Sequence, residues 1–425
     1  MKRVVVTGIG VYSPIGHGLK EFENSLREGK SAIKKWDKLE ELNYACQVCA
    51  RPEEVSLSKK EKYFDALTIK NLKHEGILLG SIVAIDAWKD SGLTILPKEK
   101  CDWNSGTIFG TGCSGNDLLA KKYYHLIDEK QIRKLGGRAI EQLMNSGISA
   151  YVGGLIGLGN QVSSNSSACA TGTEAFIMGF ERIAMGKAKR MIVGGSEGYN
   201  PYSWAGFDAM RVLCRDSNDN PAYSSRPMSD KPSGFVPGAG AGAFVLEDLE
   251  SALERKAFIY AEVLGGNINS GGQRLNGTMT RPNAEAVKRC IEDSIKDSKI
   301  NAEEIDLIGG HLTSTIGDVL EVSNWAKVLN RTGNSFPYIN SLKSMIGHCL
   351  GGAGAIELVA LIVQMQKKFI HPSLNSENLH PEIAKKIGRD KIPLEKIEKS
   401  LNIVAKSSFG FGDVNSCVIL KNWKN

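Results

Sequence analysis

The sequence predicts an α/β fold built from two βα halves of matching order, and three observations carry that prediction. Strands rich in β-branched residues and ending in glycine or other small residues alternate with helical stretches along the chain. Segments beyond residue 256 recur in the order of those before it, as an internal duplication would give. The 425 residues, 42% hydrophobic and 24% charged, suit an ordinary soluble globular protein of that size. The halves are expected at 1–255 and 256–425, with an insertion at about 113–160.

Taken in order, Val4-Val5-Val6-Thr7-Gly8-Ile9-Gly10 is a strand. It has the look of a dinucleotide-binding opening, but Pro14 stands where the phosphate-binding helix should start, so that reading is rejected. Residues 66–91 read as one long amphipathic helix, 106–112 as a strand running into a glycine turn, and 116–160 as charged helical segments over the core. Residues 190–197 form a buried strand. The alternating glycines of 238–242 precede a strand instead of following one, which suits close backbone packing and not a phosphate cradle. The second half repeats the pattern with strands at 258–264 and 307–311, a turn and helix at 351–358, and strands at 402–408 and 414–420. A pseudo-twofold axis relating the halves would bring Cys169, His311 and His348 to the ends of neighbouring strands.

The chain is organised around Ser166-Ser167-Ala168-Cys169-Ala170-Thr171-Gly172. Apolar Ala175, Phe176, Met178, Ile183 and Ala184 then mark one helical face, and the preceding serines suit a turn and cap. Cys169 is therefore expected at a helix N-terminus, where unpaired N–H groups and the helix dipole would lower its pKa and make it a nucleophile.

Composition excludes several classes. Nine cysteines without paired spacing point to free thiols in a reducing, cytoplasmic setting. Cys46 and Cys49 form a lone CxxC that nothing completes into a zinc site. The first residues do not read as a signal peptide, and the apolar run 77–88 is broken by Gly80, Ser81 and Asp86, so no membrane span is expected. The net charge of +6 is small, and its basic clusters lack a groove-reading motif. Scattered lysines suit an acidic protein partner better than nucleic acid.

Five segments in order carry a resemblance. Ser167-Ala168-Cys169-Ala170-Thr171-Gly172, Arg226-Pro227-Met228-Ser229-Asp230, residues 234–242, His311-Leu312-Thr313-Ser314-Thr315 and Lys343-Ser344-Met345-Ile346-Gly347-His348 resemble those of type II-like β-ketoacyl-[acyl-carrier-protein] synthases. The likeness runs from Val4 to Gly412 and implies a thiolase-like fold, a layered αβαβα core of duplicated halves. It implies an acyltransferase acting on acyl and malonyl groups carried by phosphopantetheine on an acyl carrier protein, with no cofactor or metal, in a homodimer or heterodimer.

The resemblance also assigns roles. Cys169 would be the nucleophile, His311 and His348 would stabilise an enolate, and the backbone N–H groups of Cys169 and Phe411 would form an oxyanion hole. Lys343 would fix the histidines electrostatically with Glu321 as its partner. Thr280, Thr313 and Thr315 would bind the pantetheine arm, with Phe409 beside it. Cys113 would lie along the acyl channel, and Lys60, Lys62 and Arg211 would meet the carrier protein. The resemblance covers enzymes of fatty acid and of specialised polyene or polyketide biosynthesis, and three departures suggest a secondary-metabolite or aryl-polyene-type branch instead of housekeeping fatty-acid elongation. Leu312 replaces a glycine, the 315–318 segment is one residue short, and Asp413 replaces the second glycine of Gly-Phe-Gly-Gly. The rival reading, a non-catalytic chain-length-factor-like subunit, sits poorly with the retained cysteine and histidines.

Overall fold

The computed structural model describes residues 1–113 and 115–424. With labels kept for the main sheet and the helices that layer on it, the first half runs β1 Val4–Ser13, α1 Glu75–Asp90, β2 Ser105–Thr111, α2 Gly147–Ile156, β3 Val162–Ser163, α3 Thr171–Ala184, β4 Arg190–Glu197 and β5 Gly240–Asp248. The second runs β6 Ala261–Ser270, α4 Ala284–Asp297, β7 Ile305–Gly309, α5 Gly317–Leu329, β8 Tyr338–Asn340, α6 Ala353–Lys367, β9 Ile403–Gly410 and β10 Val414–Asn422.

The strands lie in the order β8-β7-β9-β10-β6-β1-β5-β4-β2-β3. Outward from the β6–β1 pair, each side shows two antiparallel neighbours and then two parallel ones. Two copies of one βα unit joined edge to edge give this mirrored order. Helices α3 and α6 pack on strands of both halves, α1 and α2 cover the far side of the first, and α4 that of the second. The layers therefore run α-β-α-β-α. Where α3 meets α6, a Cβ on Gly172 would lie 2.5 Å from the backbone nitrogen of Ala355, so only glycine allows this approach.

Several expectations need correction. The helix expected over 66–91 is two, Ala66–Asn71 and α1, and the Nδ1 of His74 accepts the Ile77 N–H at the start of the second. Twelve of the sixteen residues of α1 are buried, because strands pack on one side and α2 on the other, so it is not amphipathic. A Cβ on Gly8 or Gly10 would lie 2.1 or 2.0 Å from carbonyl oxygens of α1, so these glycines seat a helix. Helix α2 is a core element on β2, not part of a surface insertion. The strand expected at 258–264 begins at Ala261 and continues to Ser270. No helix among the described residues is long and apolar enough to cross a membrane.

Candidate active site

Cys169 lies in the 3-10 turn Ala168–Ala170 that leads into α3, and Ala168 takes a left-handed φ of 48°. The expected serine cap is absent. Thr171 holds the turn instead, accepting the Ser167 N–H at 2.8 Å and donating to the Ala168 carbonyl at 2.7 Å. The second half repeats the device: Leu350, at φ 44°, opens the 3-10 turn Leu350–Gly352 ahead of α6. Strained turns of this kind persist where the surroundings over-determine them.

His311 follows the end of β7, and His348 follows the short helix Lys343–Ile346. The Cys169 sulfur and one ring nitrogen from each histidine lie within 4.8 Å of one another. The two rings meet edge-on at 5.3 Å between centroids. The Leu350 N–H donates to His348 Nδ1 at 3.2 Å, which assigns the proton to Nε2. That Nε2–H is buried with no partner among the described residues, as is His311 Nδ1. Burial pushes both imidazoles well below the ordinary histidine range, and the charges of Lys343 and Lys406 push the same way. Both rings are neutral at physiological pH, and His348 keeps an uncommitted donor beside Cys169 and His311.

The thiol departs from expectation. Burial raises its pKa to about 11, outweighing the pull of the Lys343 charge and of the Phe411 N–H that faces the sulfur. Burial, not the charges around the sulfur, sets the direction here. One thiol and two neutral imidazoles could also ligate a soft divalent ion. The raised thiol pKa opposes thiolate formation in either role.

Lys343 is paired with Glu357 on α6, not with Glu321. Glu321 accepts the N–H groups of His311 and Leu312, each at 2.8 Å, and the Ser407 hydroxyl at 2.8 Å. It thereby holds Leu312 at the left-handed φ of 23°, in the place where the resemblance expects glycine. Asp413, at φ 61°, accepts the N–H groups of Gln273 at 3.0 Å and Asn283 at 2.8 Å. A Cβ on Gly271 would lie 2.1 Å from its carboxylate, so the departure at 413 has a matching glycine opposite. The shortened segment closes on Asp318, whose carboxylate accepts the N–H groups of Thr313, Ser314 and Met228.

Phe409 packs edge-on against His311 at 6.1 Å, and Phe235 against His348 at 5.2 Å. Phe207 bridges Phe235 and Phe411, giving the site a continuous aromatic wall. Thr313 and Thr315 share a hydroxyl hydrogen bond of 3.0 Å and are half-buried. Thr280 is exposed, in a loop whose Met279 carbonyl accepts the Gly412 N–H at 2.8 Å. Cys113 lies within electrostatic reach of Cys169 and donates its N–H to Glu197 at 3.1 Å. Lys60 ends the short helix Leu57–Lys60, Lys62 is exposed just beyond it, and exposed Arg211 follows the helix Pro201–Ala209 that carries Phe207.

Sequence reasoning missed Phe207, Phe235, Lys406 and Glu197. The Glu197 carboxylate accepts the N–H groups of Gly112, Cys113 and Gly351, tying the first-half loop to the second-half turn, and burial raises its pKa to about 7. The aromatic positions flanking the glycine run 234–242 and the Cys214 segment were the only signals that could have found the two phenylalanines.

This arrangement sits on a chain with clear relatives. Residues 1–252 match the β-ketoacyl synthase N-terminal domain and residues 260–377 the C-terminal domain. The chain is 34% identical over 431 residues to 3-oxoacyl-[acyl-carrier-protein] synthase I, chloroplastic, of Arabidopsis thaliana, covering 100% of this chain and 87% of the plant protein. It is 32% identical over 426 residues to 3-oxoacyl-[acyl-carrier-protein] synthase 2 of Coxiella burnetii, covering 99% and 98%. Among solved structures it superposes with a TM-score of 0.88 on a β-ketoacyl synthase from Burkholderia phymatum, at 28% identity and full coverage of both chains. With a TM-score of 0.85 and 27% identity it also matches a type II polyketide ketosynthase solved with its acyl carrier protein, covering 99% and 100%. A buried cysteine on a strained turn, two neutral histidines across from it and relatives along its whole length lead to one conclusion: the chain belongs to the β-ketoacyl synthase family.

Proposed function

We propose that the protein condenses an acyl thioester with a malonyl thioester, both delivered by an acyl carrier protein. The observation that carries this reading is the uncommitted His348 Nε2–H beside the Cys169 thiol. In the first half-reaction the Cys169 sulfur attacks the acyl carbonyl carbon, the carbon–sulfur bond to pantetheine breaks, and the departing thiolate takes up the thiol proton. In the second, the malonyl carbon–carboxylate bond breaks and its electron pair forms an enolate as CO2 leaves. The enolate oxygen is held by N–H donors from His311 and His348. The nucleophilic carbon then attacks the Cys169 thioester, whose oxyanion is met by the N–H groups of Cys169 and Phe411, and the thiolate departs and is reprotonated.

Within this reading Thr313 and Thr315 line the pantetheine arm, with Thr280 and Phe409 at its sides. Nine free cysteines suit the cytoplasm or another reducing compartment. A homodimer is the assembly we infer. The retained thiol and both imidazoles favour a catalytic subunit over a chain-length factor.

Intact-mass measurement after incubation with acyl-carrier proteins of graded chain length tests the function and the acyl channel together. The wild-type protein should gain one acyl group, with chains of medium length or longer accepted past small, half-buried Cys113. Cys113→Phe should shorten the longest chain accepted, since a packed wall absorbs a ring only with strain. An unchanged cut-off in a folded variant would place the channel elsewhere, and no acylation by any carrier protein would sink the function.

Docking is tested by charge reversal. Rim charges act chiefly on encounter, so Lys60→Glu, Lys62→Glu and Arg211→Glu should slow reaction with acyl-carrier protein by about tenfold at low salt. Reaction with a small free thioester should be spared. Equal loss with both substrates would remove these three residues from the docking surface.

A further inference from the structure

Lys406 lies in the middle of β9 with none of its surface exposed. Its backbone is the register partner of Gly309 in β7, two residues before His311. Its ammonium reaches Glu357 Oε2 at 2.9 Å, the same carboxylate that holds Lys343, and donates to Ser408 Oγ at 3.1 Å and to the Ser407 carbonyl. The Ser408 hydroxyl in turn bonds Thr173 of α3 at 2.9 Å. Two lysines thus share one buried carboxylate between the helix of the nucleophile and the strand that leads to His311. A second buried ammonium on one carboxylate is costly to bury and unnecessary for pairing, since Glu357 and Lys343 already neutralise each other.

From this juxtaposition we propose that Lys406 is a positioning residue for the histidine pair, acting on malonyl decarboxylation and not on acyl transfer to Cys169. The proposal deepens the condensing function and rests on it. The direction of the electrostatics agrees. Burial first, then Lys343 and then Lys406 push His348 down, and Lys406 also acts on His311, whereas the charges felt by the Cys169 thiol are those of Lys343, Glu197 and Glu357. The charge of Lys406 is thus among the leading ones on the imidazoles that face the enolate and not among those on the thiol. It keeps them unprotonated and fixed through Glu357 and Lys343. The other titratable groups facing Lys406 are Glu321 of α5 and Cys417 of β10, besides the two histidines.

The test is Lys406→Met, which keeps the stem, leaves the Lys343–Glu357 pair intact and removes one buried charge. Such exchanges often leave stability unchanged or improved, and Lys406→Gln serves if the methionine variant does not fold. Three readouts are taken on wild type and variant: acylation of Cys169 from acyl-carrier protein by mass, CO2 release from malonyl-carrier protein, and the pH profile of that release. On its acid limb decarboxylation should fall roughly tenfold, the equivalent of one pKa unit of interaction, with acylation within about twofold of wild type. Its acid limb should move to higher pH, because imidazoles relieved of a neighbouring positive charge protonate more readily. An unmoved acid limb, or equal loss in both half-reactions of a folded variant, would overturn the role of Lys406. Absence of CO2 release from the wild-type protein would instead overturn the condensing function on which it rests.

Discussion

Cys169→Ala is expected to abolish the acyl-enzyme while leaving the fold and thermal stability nearly unchanged. The substitution removes one buried sulfur beside Gly410 and Phe411, and Thr171 still holds the turn through backbone partners. Loss of the nucleophile should lower condensation by on the order of 10⁴-fold or more, since no other group can form the covalent intermediate. Cys113 is an alternative thiol within electrostatic reach of Cys169, and burial raises its pKa to about 12. An acyl adduct persisting at Cys113 or Cys214 of the variant would refute the assignment. The wild-type thiol carries a second expectation. With its pKa held near 11 by burial, the resting thiolate fraction is small at neutral pH, so alkylation by iodoacetamide should still be rising at pH 9. A plateau by pH 8 would mean that the helix terminus and Lys343 outweigh desolvation after all.

That second expectation marks the boundary of what the sequence could convey. The meeting of Cys169, His311 and His348 was legible because each sits in a short motif whose order is read along the chain. The duplication of the βα halves was legible because strands ending in small residues recur in sequence. The direction of the thiol shift was not, because it is set by atoms brought in from both halves of the fold. The partner of Lys343 was misjudged for the same reason. Glu321 and Glu357 both lie in helices near the site, and only the crossing of α6 over β9 decides which carboxylate reaches the ammonium. Lys406 was invisible because a lysine among serines reads as a solvent-facing strand residue. Residues 66–91 failed by a related route, since a helix covered on two sides loses the polar stripe that periodicity looks for.

His348→Ala is expected to reduce malonyl decarboxylation by roughly 10²–10³-fold, the usual effect of deleting one donor aimed at a developing oxyanion. Acylation of Cys169 should fall far less, because no enolate forms in that half-reaction. The geometry makes the prediction specific to one nitrogen. Nδ1 is occupied as acceptor of the Leu350 N–H, so the donor lost is Nε2–H. His348→Asn, whose amide can still donate, should recover part of the decarboxylation and none of any packing defect against Phe235. His311→Ala should show the same partition. The pH profile provides an independent check. Burial, with Lys343 and Lys406 beside it, holds both imidazoles well below the usual histidine range. Protonation would convert His348 Nδ1 from acceptor to donor against the Leu350 N–H, so the active form is the neutral one. Decarboxylation should therefore hold its rate as pH falls through 6.5, where an ordinary histidine is half charged, and fail only at lower pH. An acid limb at or above 6.5, or equal loss of both half-reactions in folded His348→Ala, would assign the histidines a structural role instead.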